Sequence, residues 1–398
     1  MNVTGILKQS LAGVTAKMHE SRRTALSACV YSLIRGSSAT VTQIGRGLKS
    51  NAKEKHSLKR ADRLLSNTRL HAEAMPIYTS MARTILAGIA RPVILVDWSD
   101  LDASRRHFLL RATLAMSGRC LTLYEEVHDL TTKEKPKTHR EYLRRLARIV
   151  GPGCRPIVVT DAGFKTPWFR AVLALNWDFV GRTRKPNHYS LDGEHWQSVA
   201  VLYEQATATA KVFSADLNRS KPLNCTMVLY KQKHQGRVDL TRQGHPRRSK
   251  KTLTHKKSGT DPWLLSTSLP REQQLAKQVV NIYRTRMQIE EGFRDMKSSR
   301  FGLGFEQNDT RQIKRMTILI LLTTLANWIL VILGMAAVVS GQHRQYQANT
   351  TRHRNVLSLP FIGLRVVVDR KIQLRRRELR QAIDRLCFLA AQVYGVHA

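Results

Sequence analysis

From Met316 to Val339 the chain reads MTILILLTTLANWILVILGMAAVV, without one charged side chain. At about 1.5 Å of rise per residue, such a run is long enough to cross a hydrocarbon core of about 30 Å. It forms either a membrane span or the central buried helix of a large core. Basic residues flank both ends (Arg311, Lys314 and Arg315 before it, Arg344 after it), so no charge asymmetry orients an insertion. The run also follows a polar helix after a short glycine-containing link. We expect a buried core helix and no membrane partner.

At 398 residues the chain exceeds one small core, and about two or three domains are expected. With 66 Lys and Arg against 29 Asp and Glu, the formal net charge is +37. A charge of this size repels itself unless a polyanion is present. Nucleic acid is the leading partner, and an anionic membrane surface is the rival. The five cysteines are scattered and never form CxxC, so neither a disulfide framework nor a zinc site is legible. The N-terminus lacks the apolar core of a signal peptide. We expect a cytoplasmic protein.

Residues 1–90 read as helical. Val41 to Leu48 is a short helix, SNAKEK a turn, and His56 to Asn67 a second helix with Leu58, Ala61, Leu64 and Leu65 on its apolar side. Lys59, Arg60 and Arg63 stay exposed. This layout suits a helix-turn-helix or a plain basic bundle.

The period then changes. PVILV (Pro92 to Val96) is a strand buried on both faces, ending at Asp97. His107 to Ser117 and Cys120 to Val127 complete an antiparallel meander. A helix over His139 to Val150 stops at Gly151-Pro152-Gly153. PIVVT (Pro156 to Thr160) is a second buried strand, ending at Asp161. A helix over Pro167 to Leu175 and a strand over Asp178 to Arg182 follow.

From 185 to 260 the pattern breaks into short β-like pieces at Ser198 to Tyr203, Ala210 to Phe213 and Cys225 to Tyr230, then a basic loop. Lys250, Lys251, Lys256 and Lys257 of that loop are candidate phosphate contacts. Trp263 to Leu269 returns to a strand and leads into one helix over 272–298. The amphipathic stretch Leu379 to Tyr394 is expected to pack on the body.

Helix 272–298 carries the densest chemistry. Tyr283, Arg286, Glu290 and Lys297 fall within an arc of about 60° on a helix turning about 100° per residue. An apolar seam of Ile282, Ile289, Phe293 and Met296 runs beside them. Taken alone this is an ordinary surface helix with four-residue ion pairs. Asp97 and Asp161, each closing a buried strand, change the reading. If the two strands are neighbours, both carboxylates emerge together, and Glu290 could meet them. Hard oxygen donors of this kind suit Mg²⁺ or Mn²⁺, and two ions about 4 Å apart would serve phosphoryl transfer. Glu291 is rotated about 100° from Glu290, which favours Glu290. Tyr283, Arg286 and Lys297 would then be phosphate contacts. Trp263 and Trp98 either stack on an unpaired base or are core aromatics.

The Y-x2-R-x3-E-x6-K spacing, LVDWSD around Asp97, TDAGFKTPWF around Asp161, NIYRTRMQIEEGFRDMKS around Glu290 and QANTTRHRNVLS at 347–358 resemble the bacterial cut-and-paste transposases of insertion-sequence family four. The resemblance runs from about residue 25 to residue 360. It implies an α/β, ribonuclease H-like mixed-sheet catalytic core (89–184 and 261–340) with Asp97, Asp161 and Glu290 as catalytic metal ligands. It further implies a β-rich insertion, the basic segment 185–260. From the sequence itself we expect a preceding all-α DNA-binding domain (1–88) and a basic, helical C-terminal region (341–398) for dimerisation or DNA contact.

The expected activity is Mg²⁺-dependent cleavage at terminal inverted repeats through a hairpin, then joining to target DNA, by a homodimer in a paired-end complex. Trp263 is similar in position to a family tryptophan that stacks on a flipped base. An inert terminal-repeat-binding repressor is the alternative.

Overall fold

The structure is a computed structural model that describes residues 18–232, 245, 261–300, 302–348, 350–351, 355–369 and 371–395, with 13 and 15. Lys250, Lys251, Lys256 and Lys257 lie outside the described residues. The chain divides into two compact units, Met1–Pro156 with Thr285–Ala398, and Ile157–Arg284.

Among the described residues the first unit begins with four helices, α1 (Glu20–Ile34), α2 (Val41–Arg46), α3 (Glu54–Leu65) and α4 (Thr68–Leu86). The hydroxyl of Thr40 accepts from the Gln43 N–H at 3.1 Å, and the Asn67 side chain accepts from the Leu70 N–H at 3.0 Å. Both satisfy backbone donors that a helix start leaves open. The α2–turn–α3 pair expected from the sequence is present. Gly45 permits its close crossing, because a Cβ there would stand 2.8 Å from the Leu58 backbone. Lys59 and Arg63 are exposed and Arg60 is half-buried.

Strands β1 (Val93–Asp100), β2 (His107–Leu114) and β3 (Leu121–Asp129) follow, paired antiparallel in the order β3-β2-β1. Helix α5 (Pro136–Val150) starts with Pro136 in its first turn and stops at Gly151, whose φ of 86° suits glycine.

The second unit holds β4 (Ile157–Thr160), α6 (Thr166–Leu173), β5 (Asp178–Arg182), β6 (His188–Ser190), β7 (Gln197–Ser198), β8 (Lys211–Leu217), β9 (Leu223–Tyr230), β10 (Trp263–Thr267) and α7 (Leu275–Arg284). Strand β4 pairs parallel with β5, as a strand-helix-strand crossover requires, and the remaining ladders are antiparallel, in the order β4-β5-β10-β9-β8-β6-β7. The apolar run after Ser198 is a 3-10 helix over Val199–Gln205 rather than a strand.

The chain then returns to the first unit with α8 (Met287–Lys297), α9 (Ile313–Val339), α10 (Leu359–Val368) and α11 (Arg376–Gly395). The single helix expected over 272–298 is therefore two. At the break, the Gln288 N–H turns back to the Thr285 carbonyl and the Ile289 N–H to Arg286, a tight i to i+3 turn. The Gln288 side-chain amide is held by the main chain of Met116, accepting from its N–H at 3.0 Å and donating to its carbonyl. That clamp comes from the β2–β3 connection, so no local signal in the sequence announces it.

The uncharged run forms α9, and its most apolar 18-residue stretch is 94% buried. It packs against α1, α3, α4, α10, α11 and β3. Each fully buried Leu or Ile there contributes about 1.5–3 kcal/mol. Gly334 and Gly363 let α9 and α10 touch backbone to backbone: a Cβ on either would lie 2.1 Å from a carbonyl oxygen of the other helix. Leu379, Ala382, Leu386 and Ala390 form the buried side of α11, as the amphipathic spacing predicts.

Candidate active site

Burial along β1 falls from complete at Val93–Val96 to partial from Asp97 onward, so Asp97 stands where the strand leaves the core. Alternation along a strand puts Asp97 and Ser99 on one face and Trp98 on the other. The Trp98 indole N–H donates to Nε2 of His139 at 3.2 Å, and its ring meets His128 edge-on with centroids 5.2 Å apart. Trp98 therefore belongs to the packing beneath the strand. Its backbone N–H donates to Asp97 Oδ1 at 2.8 Å, which fixes the carboxylate's orientation.

Helix α8 packs against β1. Ile289, Phe293 and Met296 are buried, as expected of the seam, and they aim the opposite side of the helix outward. Arg286 precedes the helix and Glu290 lies in its first turn. Nη1 of Arg286 lies 3.4 Å from Asp97 Oδ2, while its Nη2 donates to Glu290 Oε1. One guanidinium thus joins a strand-borne and a helix-borne carboxylate. Asp97 and Arg286 side chains are 13% and 14% exposed, against 45% for Glu290.

Lys297, the last residue of α8, donates to Ser99 Oγ at 2.7 Å and to the Asp100 carbonyl. Burial, aided by the nearby charge of Arg111, pushes its ammonium below the usual lysine range, and Asp100 opposes the shift. Glu291, set aside in favour of Glu290, pairs with Arg119 at 3.3 Å and with Arg294.

In the second unit Asp161 follows β4 and accepts from the Gly163 N–H at 2.9 Å through Oδ1. Trp263 opens β10 half-buried, with the Tyr283 ring edge-on at 4.9 Å and Tyr230 at 6.1 Å. Tyr283 itself is only 4% exposed. Its ring supports Trp263 and does not stand open to solvent.

Carboxylate oxygens suit Mg²⁺ and Mn²⁺. Asp97 and Glu290 already converge on one cation, so their donor chemistry fits a divalent ion. Among the described residues no group of three or more His, Cys, Asp or Glu side chains is arranged to hold a metal.

The sequence reading missed what lies under α8. Across the meander Asp97 opposes Arg111, and Arg111 opposes Glu125. Arg111 and Glu125 are buried and paired. Glu125 also accepts from Thr324 of α9 and, at 3.5 Å, from the Tyr78 hydroxyl. The available signal was the pair Thr323-Thr324 inside an otherwise apolar helix.

Two carboxylates, one from a strand end and one from a facing helix, thus share the Arg286 guanidinium in a chain of charge +37. Residues 89–329, more than half of the chain, match the transposase DDE domain, and the chain belongs to that family. It is a DNA-cleaving and strand-transferring enzyme by class. The mixed α/β architecture agrees with the ribonuclease H-like core of such enzymes. No curated protein matches the chain.

Proposed function

We propose that the chain excises its own insertion sequence: it binds the terminal inverted repeats, nicks the ends, passes through a hairpin, opens it and joins the ends to target DNA. The observation that carries this reading is the Asp97–Arg286–Glu290 bridge inside the family-matched region. The motif blocks also resemble the transposase of transposon ten, which favours insertion-sequence family four.

On the motif resemblance, Asp97, Asp161 and Glu290 would hold Mg²⁺, with Mn²⁺ as a substitute and two ions as the expected number. Bound there, the ions would activate a water or 3′-hydroxyl and offset charge on the leaving oxygen. Arg286 would exchange its carboxylates for a phosphate, which its planar fork can grip bidentately. Lys297 and Tyr283 would be further phosphate contacts. Trp263 would stack on a flipped base.

The α2–turn–α3 pair presents Lys59, Arg60 and Arg63 for end recognition. The lysines at 250, 251, 256 and 257 would add phosphate contacts. We further propose a cytoplasmic, nucleoid-associated homodimer, with 341–398 serving assembly or DNA contact. An inert terminal-repeat repressor is not favoured, because the acids are intact.

The test is incubation of the purified full chain with linear DNA carrying the inverted repeats that flank its gene. Mg²⁺-dependent nicks and hairpins at the repeat boundary are expected. Binding without metal-dependent cutting would replace this reading with the repressor.

A further inference from the structure

A buried ion pair is a poor way to gain stability, since desolvating two charges offsets most of their attraction. Arg111 and Glu125 are nevertheless 3% and 4% exposed, and their placement suggests another use. They stand in register with Asp97 across three neighbouring strands, on one sheet face. Above Arg111 lies α8. Its Nη2 is 2.9 Å from Met296 Sδ, and its guanidinium sits over the Phe293 ring at 4.8 Å.

Gly292 lets α8 close on the sheet beside Arg111, because a Cβ there would stand a tight 3.2 Å from Cys120 Sγ. Glu125 is gripped from the far side by Thr324 and Tyr78. The central helix α9 thus holds Glu125, Glu125 holds Arg111, and Arg111 carries the underside of the helix that bears Glu290.

We infer that Arg111, locked by Glu125, is a positioning residue that seats α8 and so sets the separation of Glu290 from Asp97. Its planar fork reaches Glu125 and Met296 while its face meets Phe293, a combination that a lysine ammonium cannot reproduce. The inference rests on the reading of Asp97 and Glu290 as catalytic acids.

Two variants test it. Arg111→Met combined with Glu125→Gln removes both charges and keeps a side-chain oxygen to accept from Thr324 and Tyr78, so the fold is expected to hold. A misplaced acid should lower the turnover of end cleavage by about 100-fold. Half-saturating DNA should stay unchanged, and half-saturating Mn²⁺ should rise. A folded double variant cutting at the wild-type rate overturns the inference.

If that variant does not fold, Arg111→Lys decides by amide hydrogen exchange on the DNA-free chain. Exchange should quicken in α8 and stay unchanged in β3. Unchanged exchange in α8, or equal quickening throughout, overturns the seat. Should Asp97→Ala still cut DNA, the catalytic reading fails instead, and the exchange result still judges the seat alone.

Discussion

Arg286 holds Asp97 at 3.4 Å, a contact that spans 189 residues of sequence and puts a positive charge where a catalytic carboxylate would need a metal. The same guanidinium takes Glu290. Without DNA, arginine and a metal ion would compete for the same two acids. Arg286→Gln should therefore raise Mn²⁺ affinity of the DNA-free chain by about tenfold, the scale of one charge-assisted hydrogen bond. The same variant should cleave DNA more slowly for want of its phosphate contact. Titration followed by electron paramagnetic resonance reads the affinity, and an unchanged value would show that Arg286 does not guard the acids.

Trp263 rests on Tyr283 and presents a half-buried ring. Trp263→Ala should nick repeat ends at the normal rate and form hairpins poorly. A denaturing gel that resolves the two products makes the comparison, and equal hairpin yield removes the stacking role.

His139 accepts a hydrogen bond from the Trp98 indole, which its protonated form cannot do. Burial, reinforced by His128, lowers its pKa to about 4 from the ordinary 6.5. The unfolded chain therefore takes up this proton first. The stabilisation is complete above pH 6.5 and is lost as the pH falls toward about 4, by up to about 3 kcal/mol. Thermal melts between these limits should show the decline, and His139→Gln should flatten it.

Gly363 lies under the Leu330 carbonyl. Gly363→Ala must push α10 off α9 and should cost about 3 kcal/mol of stability, read as a lower denaturant midpoint. A midpoint equal to wild type would mean that the helices slide apart freely.

The parts of the fold that local chemistry dictates were legible. The apolar run before Asp97 reads as a buried strand, Gly151 as the end of α5, and the charge-free segment as a helix that must be hidden from water, with its symmetric basic flanks favouring a core. What escaped were consequences of tertiary partners. The break at Arg286 depends on Gln288 reaching Met116, and nothing within 283–297 marks it. The Arg111–Glu125 ladder depends on strand register, and β2 is buried along nearly all of its length, so no polar–apolar alternation is there to announce it. Helix α10 was hidden because the surrounding 341–398 is dominated by its arginines. Arg286, Glu290 and Lys297 stand on one segment, but their partners, Asp97 for the arginine and Ser99 with Asp100 for the lysine, come from β1, which spacing within the segment does not reveal.

The central claim is that Asp97, Asp161 and Glu290 act together on DNA. Its most direct test is metal-dependent cleavage of repeat-bearing DNA by Asp97→Ala, Asp161→Ala and Glu290→Gln chains, each first shown to bind that DNA as the wild type does. All three should bind and none should cut. Cleavage by any one of them at the wild-type rate would contradict the assignment.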